Sequence, residues 1–232
     1  MRESRFSFDM VVVYLFNPGD AKEQAHSFGM GSGACGSPFS EGKWQRSNAR
    51  ACNILLYFGR FEPYKGLETL VAAFGRVRKD IPSWTLLLAG SGRLPTTLLR
   101  RIPPGIDIRS GYVPDEEVAE LMQRARLVVV PYTAATQSGV IATAYAFGRP
   151  VIATSVGGLV EMVTQGKTGL LIPPNDVPAL ARAIKSLTLN PDRLRRMSRQ
   201  AQSLGRTAMR WDRIAQMHSE LYGMVLKEYG IR

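Results

Sequence analysis

The spacing of apolar residues changes period repeatedly along this chain, and each change marks an element. Brief leucine-rich or β-branched runs, too short to close three helical turns, lie at Asn53–Phe58 (NILLYF), 84–89, 106–109, 127–130, 151–153 and 168–172. Such runs predict strands buried on both faces. Between them the apolar positions fall three and four apart. Leu67–Val77 places Leu67, Leu70, Val71, Phe74 and Val77 on one stripe, which predicts an amphipathic helix. Pro114 opens another, with Asp115, Glu116 and Glu117 where the helix dipole favours negative charge. Further helices are predicted at 94–101, at 139–147, from Gly157 and Gly158 through Met162, at 178–187 behind an Asp176 cap, at 192–205 and at Trp211–Glu228.

Strands alternating with helices in this way predict an α/β fold, a doubly wound parallel sheet with C-terminal helices. The stretch RLVVVPYTAATQSGVIATAYAFGRPVIAT, residues 126–154, holds one crossover unit of that sheet: strand, loop of small polar residues, helix, strand. Its loop, 133–138, lies where a strand's carboxyl end meets free helix N–H groups, a place suited to an anionic ligand. A tight turn without any ligand would use the same small residues.

Residues 1–50 are less patterned. They offer a strand at 10–16, a turn at 17–20 and the Gly/Ser-rich GMGSGACGSPFSEG, so a loop or disorder is expected from 28 to 43. The resulting division is an N-terminal extension, 1–50, partly disordered or the remnant of another domain; a Rossmann-like domain, 51–190; and C-terminal helices, 191–232, packed on it.

Composition narrows the function classes. No apolar run approaches the roughly 20 residues that cross a bilayer, and Asp9 precedes the first hydrophobic run, which has no small-residue cleavage site after it. The expectation is a cytoplasmic protein. Cys35 and Cys52 are the only cysteines, too few for a disulfide framework and without metal spacing. The formal charge is +11, but much of the excess sits on predicted helices and their flanks, in Arg76, Arg78, Lys79, Arg93, Arg100 and Arg101 and in Arg193, Arg195, Arg196, Arg199, Arg206, Arg210 and Arg213. That distribution reads as solvated helix faces, or as a peripheral contact with an anionic membrane. Basic residues interleaved with aromatics are missing, so nucleic acid is not an expected partner.

Arg60 and Lys65 are the leading chemical candidates. They lie five apart on the loop after the first strand, at the same sheet edge as the loop that leads to Ser138 and Gly139. Two cations and a helix N-terminus facing one crevice suit a diphosphate; two solvated loop cations would have the same spacing. A nicotinamide-type fingerprint is lacking, since Gly59-Arg60-Phe61 follows the first strand and the nearby Gly90-Ser91-Gly92 is followed by Arg93, Leu94 and Pro95. Walker-A spacing, a Ser/His/Asp set and metal-ligand clusters are lacking too, since His26 lies in the unpatterned N-terminal stretch and His218 falls on the last predicted helix, where a histidine is more often a surface or packing residue.

The segments LLYFGRFEPYKGLETLVAAF, LLLAGSG, IRSGYVPDEEVAELMQRARLVVVPY and AYAFGRPVIATSVGGLVEMVTQGKTGLLIPPNDVPALARAI, in this order, resemble the C-terminal, donor-binding domain of the retaining, family-four glycosyltransferases with the two-Rossmann (GT-B) architecture. The resemblance covers 53–187. It implies half of a GT-B enzyme that moves a sugar from a nucleoside-diphosphate sugar to an acceptor, with retention, without metal and without a cofactor. Arg60 and Lys65 would hold the diphosphate and stabilise the charge developing on the leaving group. Gly59, Gly90, Tyr112 and Val113 would border the donor, the last two with their backbone near the base. Gln137, Ser138, Gly139, Val140 and Thr143 would meet its phosphates and polar groups.

The chain also departs from the pattern. Where the family carries two glutamates spaced E-x7-E, this sequence has Ala135 and Thr143, so sugar and ribose contacts must come from other groups, for which Gln137, Ser138 and Thr143 are candidates. The acceptor-binding domain that the family places N-terminally exceeds the fifty residues available here. A truncated enzyme or a separate acceptor-domain subunit is therefore expected, and a non-catalytic nucleotide-sugar-binding or scaffold domain is the alternative reading.

Overall fold

The computed structural model describes residues 39–40, 43–44, 53–96, 98, 102–207 and 211–228. Its frame is one sheet of six strands, β1 (Asn53–Phe58), β2 (Trp84–Gly90), β3 (Ile106–Ser110), β4 (Ala125–Val130), β5 (Val151–Thr154) and β6 (Gly169–Ile172). Every pairing is parallel, and the order across the sheet is β3-β2-β1-β4-β5-β6. This is the doubly wound order of dinucleotide-binding folds. Five of these strands are buried on both faces, which is why their sequences are near-continuous apolar runs, whereas the edge strand β3, IDIRS, alternates and is only half-buried.

The helices are α1 (Leu67–Val77), α2 (Asp115–Arg124), α3 (Gly139–Ala146), α4 (Leu159–Met162), α5 (Val177–Thr188), α6 (Pro191–Thr207) and α7 (Trp211–Glu228). On one face of the sheet α1 and α5 bury Leu70, Phe74, Leu180, Ile184 and Leu187 against Leu55, Leu86 and Leu127. On the other, α2 and α3 bury Leu121, Met122, Ile141 and Tyr145 against Leu56, Val128 and Val130. Side chains of this size stabilise the fold by about 1.5–3 kcal/mol each when fully buried. Asp176 caps α5 as the sequence implies, its Oδ1 accepting from the Ala179 N–H at 2.7 Å.

Some boundaries differ from the sequence reading. β4 starts at Ala125 because α2 passes into it without a loop, and the register slips between Ile54 and Leu55, which face Ala125 and Leu127. The slip extrudes Arg126 as a bulge, leaving it exposed in an otherwise buried strand. At the end of the stretch expected as a loop, 28–43, Phe39–Ser40 pairs antiparallel with Lys43–Trp44. Thr96 and Leu98 are helical, as the reading of 94–101 has it, while 97 and 99–101 lie outside the described residues. So do the expected strand at 10–16, His26 and both cysteines.

The C-terminal helices behave differently from each other. α6 buries Leu194, Met197 and Ala201, and the Ser198 hydroxyl donates to the Gly148 carbonyl at 2.6 Å. α7, expected to pack as well, exposes Met217, Leu221, Tyr222 and Met224 by half or more. Its apolar stripe meets no complementary surface among the described residues, and no described helix is long and apolar enough to cross a membrane.

Candidate functional site

The strand order creates a switch point between β1 and β4, because β1 hands the chain to α1 on one face and β4 hands it to α3 on the other. In open α/β sheets the crevice outside the carboxyl ends of two such strands is where ligands bind. Here two loops frame it, 59–66 after β1 and 131–138 after β4. They are joined: the Thr133 N–H and Oγ1 both donate to the Tyr64 carbonyl, at 2.7 and 3.2 Å. Behind them Gly157 and Gly158 lie against the carbonyls of Ala135 and Thr136, which braces the second loop from its far side.

The sequence treats Arg60 and Lys65 alike, and the fold separates them. Arg60 is exposed and forms no ion pair among the described residues; its carbonyl is held by the Tyr57 hydroxyl, 2.7 Å away. That bond fixes the backbone from which the guanidinium projects. Lys65 ends the 3-10 turn Pro63–Lys65 and is only 1% exposed. Its Nζ lies 4.0 Å from the centroid of the Tyr132 ring and 5.2 Å from that of Tyr64. The reading of Lys65 as a solvated cation is therefore corrected: an ammonium on an aromatic face keeps favourable electrostatics out of water.

Ser138 is the N-cap of α3, with extended backbone at φ −144° and ψ 112°. A serine in that place ordinarily accepts from the second or third helical N–H. Here the side chain makes no capping bond, and Oγ is buried without a hydrogen-bond partner among the described residues. An orphaned buried hydroxyl costs stability of the order of 1–3 kcal/mol, and this one stands at the N-terminal end of a helix, beside Gly139 and Val140. Gln137, next to it, is exposed. Thr143 has another duty: buried one turn into α3, its hydroxyl donates to the Gly139 carbonyl at 2.9 Å. It thus adds no free donor to the crevice.

The remaining wall is largely main chain. The Gly59 N–H donates to Ala89 and the Gly111 N–H to Gly90, at 3.0 and 2.8 Å, so the ends of β1, β2 and β3 advance in step. A Cβ on Gly90, at φ +148°, would stand 1.9 Å from the Gly59 carbonyl oxygen; the approach requires glycine. Beyond it Tyr112 is 78% exposed and Val113 is buried. This turn is held by residues that sequence reasoning passed over. Arg109 forms a bidentate pair with Glu117, 2.8 and 2.9 Å, and donates to the carbonyls of Ser110 and Tyr112 at 3.0 and 2.9 Å. Eight residues of separation across a strand end concealed that clamp, although an Arg on an edge strand before an acidic helix start was a signal for it. Tyr132 was likewise missed, although it directly follows a buried strand at the ligand-binding edge.

Deeper in α3, Tyr145 anchors the helix to the loop before β6, its hydroxyl donating to Thr168 Oγ1 at 2.8 Å. Burial pushes its phenol up to about 12, outweighing the opposing effect of that hydrogen bond.

Taken together, the loops at this sheet edge carry an exposed guanidinium, a buried ammonium on an aromatic ring, an uncapped helix N-terminus and a main-chain wall. The chain is also similar to known proteins. The family described as "Glycosyl transferases group 1" matches residues 52–190. A glycogen synthase of Mycobacterium tuberculosis is 31% identical over 172 residues, covering 72% of this chain and 42% of its own length. A D-inositol 3-phosphate glycosyltransferase of Streptomyces coelicolor is 28% identical over 224 residues, covering 83% of this chain and 48% of its own. Among solved structures, the sucrose-phosphate synthase of Thermosynechococcus elongatus superposes with a TM-score of 0.68 at 31% identity, over 93% of this chain and 51% of that one. HepE of Anabaena, solved with UDP-glucose, shares the fold at 23% identity and a TM-score of 0.65, over 74% of this chain and 48% of its own. The chain thus spans about half the length of these relatives.

Proposed function

The chain belongs to the group 1 glycosyl transferases, and from that premise we propose that it is the donor-binding half of a retaining hexosyltransferase that takes its sugar from a nucleoside diphosphate. The observation that carries the reading is the crevice at the β1/β4 switch point, where Arg60, Lys65 and the α3 N-terminus with its orphaned Ser138 hydroxyl share one sheet edge. A diphosphate fits this chemistry: the guanidinium supplies a planar fork of donors, the ammonium a point charge, and the helix end partial positive charge. The UDP-glucose of the HepE structure supports a donor of this class.

In this proposal the two cations act on the leaving group. As the glycosidic bond to the β-phosphate lengthens, charge grows on the phosphate oxygens, and Arg60 and Lys65 stabilise it more in the transition state than in the ground state. No metal is needed to carry that charge. The Gly59–Gly90 wall and the Tyr112–Val113 backbone border the nucleoside, and the Arg109–Glu117 clamp keeps that backbone in place. The acceptor is supplied through a second domain or subunit facing the crevice.

The test is calorimetric titration with ADP, GDP and UDP, followed by transfer assays with the matching glucose donors. Binding of one of them is expected, with Arg60→Ala and Lys65→Ala each lowering transfer by about 10²- to 10³-fold by analogy with the loss of one oxyanion donor. Nucleoside diphosphate binding that is the same in both variants as in the wild type defeats the assignment. One observation favours a second reading, a non-catalytic nucleotide-sugar-binding domain: Ala135 lacks a polar side chain, and the Thr143 hydroxyl is already bonded to Gly139. Tight nucleotide binding without transfer or donor hydrolysis, whatever acceptor domain is added, would select it.

A further inference from the structure

Tyr132 has no place in the chemistry so far, yet its surroundings are built with care. It follows Pro131 at the carboxyl end of β4 and is 1% exposed. Its carbonyl accepts from the Thr154 hydroxyl at the end of β5, which fixes the residue's backbone to the neighbouring strand. Its ring meets that of Tyr64 edge-on, with centroids 6.2 Å apart and planes at 74°. Tyr64 in turn is tied through its carbonyl to Thr133, the residue after Tyr132. Two aromatic rings from the two crevice loops are thereby set at a fixed angle around the Lys65 ammonium, 4.0 Å from one centroid and 5.2 Å from the other.

We infer that Tyr132 is a positioning residue for Lys65, holding the ammonium on its ring at the floor of the crevice so that an arriving diphosphate meets a cation already in place. The inference rests on the reading of Lys65 as a diphosphate ligand. A lysine side chain carries four rotatable bonds, and an unrestrained one must be ordered when the ligand binds, at a cost in rotamer entropy. A ring that confines Nζ beforehand removes that cost from the binding step. The same ring supplies electrostatic compensation while the site is empty, because its negative face is turned toward a charge withdrawn from water. When phosphate oxygens enter, the ammonium need only tilt from the ring toward them, keeping its stem in the aromatic slot. Tyr132 itself touches neither phosphate nor sugar in this arrangement.

The experiment is a double-mutant cycle on the full chain, read by calorimetry with whichever of ADP, GDP and UDP binds most tightly. Tyr132→Phe keeps the ring and is expected to bind within about twofold of the wild type, whereas Tyr132→Leu is expected to bind about tenfold more weakly. In a Lys65→Ala background the Tyr132→Leu change is expected to add less than about twofold, because the group being positioned is gone. A purely structural role predicts the opposite, the same loss in both backgrounds, and that result overturns the inference. So does unchanged or tighter binding by Tyr132→Leu alone. If Lys65→Ala leaves binding unaltered, the parent reading of Lys65 fails and the inference fails with it. If Lys65→Ala weakens binding but the Tyr132→Leu loss persists beside it, the inference alone fails. Should Tyr132→Leu not fold, pentafluorophenylalanine at position 132 keeps the ring's shape while reversing its electrostatic face. It must then weaken binding relative to Tyr132→Phe, and equal affinity of the two overturns the inference.

Discussion

Gly66 and Pro131 are in backbone contact across the switch point: a Cβ built on Gly66 would stand 1.9 Å from the Pro131 carbonyl oxygen, and Gly66 has φ +67°. The residue thus meets two separate prohibitions, one conformational and one steric. It is also the C-cap of the 3-10 turn that ends in Lys65 and the N-cap of α1. The lysine loop, the first helix and the end of β4 are locked together at this one position.

Gly66→Ala is therefore expected to destabilise the chain by about 3 kcal/mol or more, the cost of left-handed backbone plus the displacement of Pro131. Gly75→Ala is the control. That glycine lies inside α1, is exposed, and has open space where its Cβ would go, so the change should stabilise by about 0.5–1 kcal/mol. Urea denaturation of the two variants checks the contrast.

The Arg109–Glu117 pair can be separated from the proposed diphosphate contacts. Both side chains are 18% exposed, and the contact is bidentate, so Glu117→Gln should cost roughly 1–2 kcal/mol of stability. Losing the clamp frees the Ser110–Tyr112 turn while leaving the Arg60 and Lys65 loop alone. Nucleoside diphosphates are expected to bind several-fold more weakly to the variant, with inorganic pyrophosphate unaffected. Equal weakening of both ligands would show that the clamp does not act through the turn.

Tyr145 sets an alkaline limit. Its folded-state value is raised to about 12 from an ordinary 10.0, with burial the larger cause. Below pH 10 both folded and unfolded chains hold the proton, and the contribution is complete. Between pH 10 and about 12 the unfolded chain gives its proton up first, so stability falls with rising pH by about 1.4 kcal/mol per unit, roughly 2–3 kcal/mol in all. Unfolding free energies of wild type and Tyr145→Phe, measured from pH 9 to pH 11.5, should converge as the pH rises through that window. A constant gap between them would contradict the assignment.

How much of this was legible beforehand depends on the range of the interaction concerned. NILLYF and RLVVV declare buried strands within themselves, and the Asp176 cap is a contact over three residues. That the loops after β1 and β4 lie at one sheet edge followed from the rule that ligands gather at strand carboxyl ends. The burial of Lys65 did not follow, since it is decided by Tyr132, sixty-seven residues away in the chain, and no local pattern distinguishes a solvated lysine from one lying on a ring. Thr143 shows the same limit at short range. Its place on α3 was readable, but whether its hydroxyl faces a ligand or turns back to the Gly139 carbonyl is a rotamer choice that helix packing makes. The bulge at Arg126 arises from a mismatch of two strands and has no trace in either one alone.

The main-chain wall formed where Gly59 meets Gly90 has an evolutionary consequence. A surface made of side chains can be retuned one codon at a time, but a surface made of amides offers nothing to exchange, and any Cβ at Gly90 collides with the neighbouring strand end. A change that retunes this edge of the sheet must therefore fall on exposed side chains beside it, such as Tyr112 and Gln137, or alter loop length.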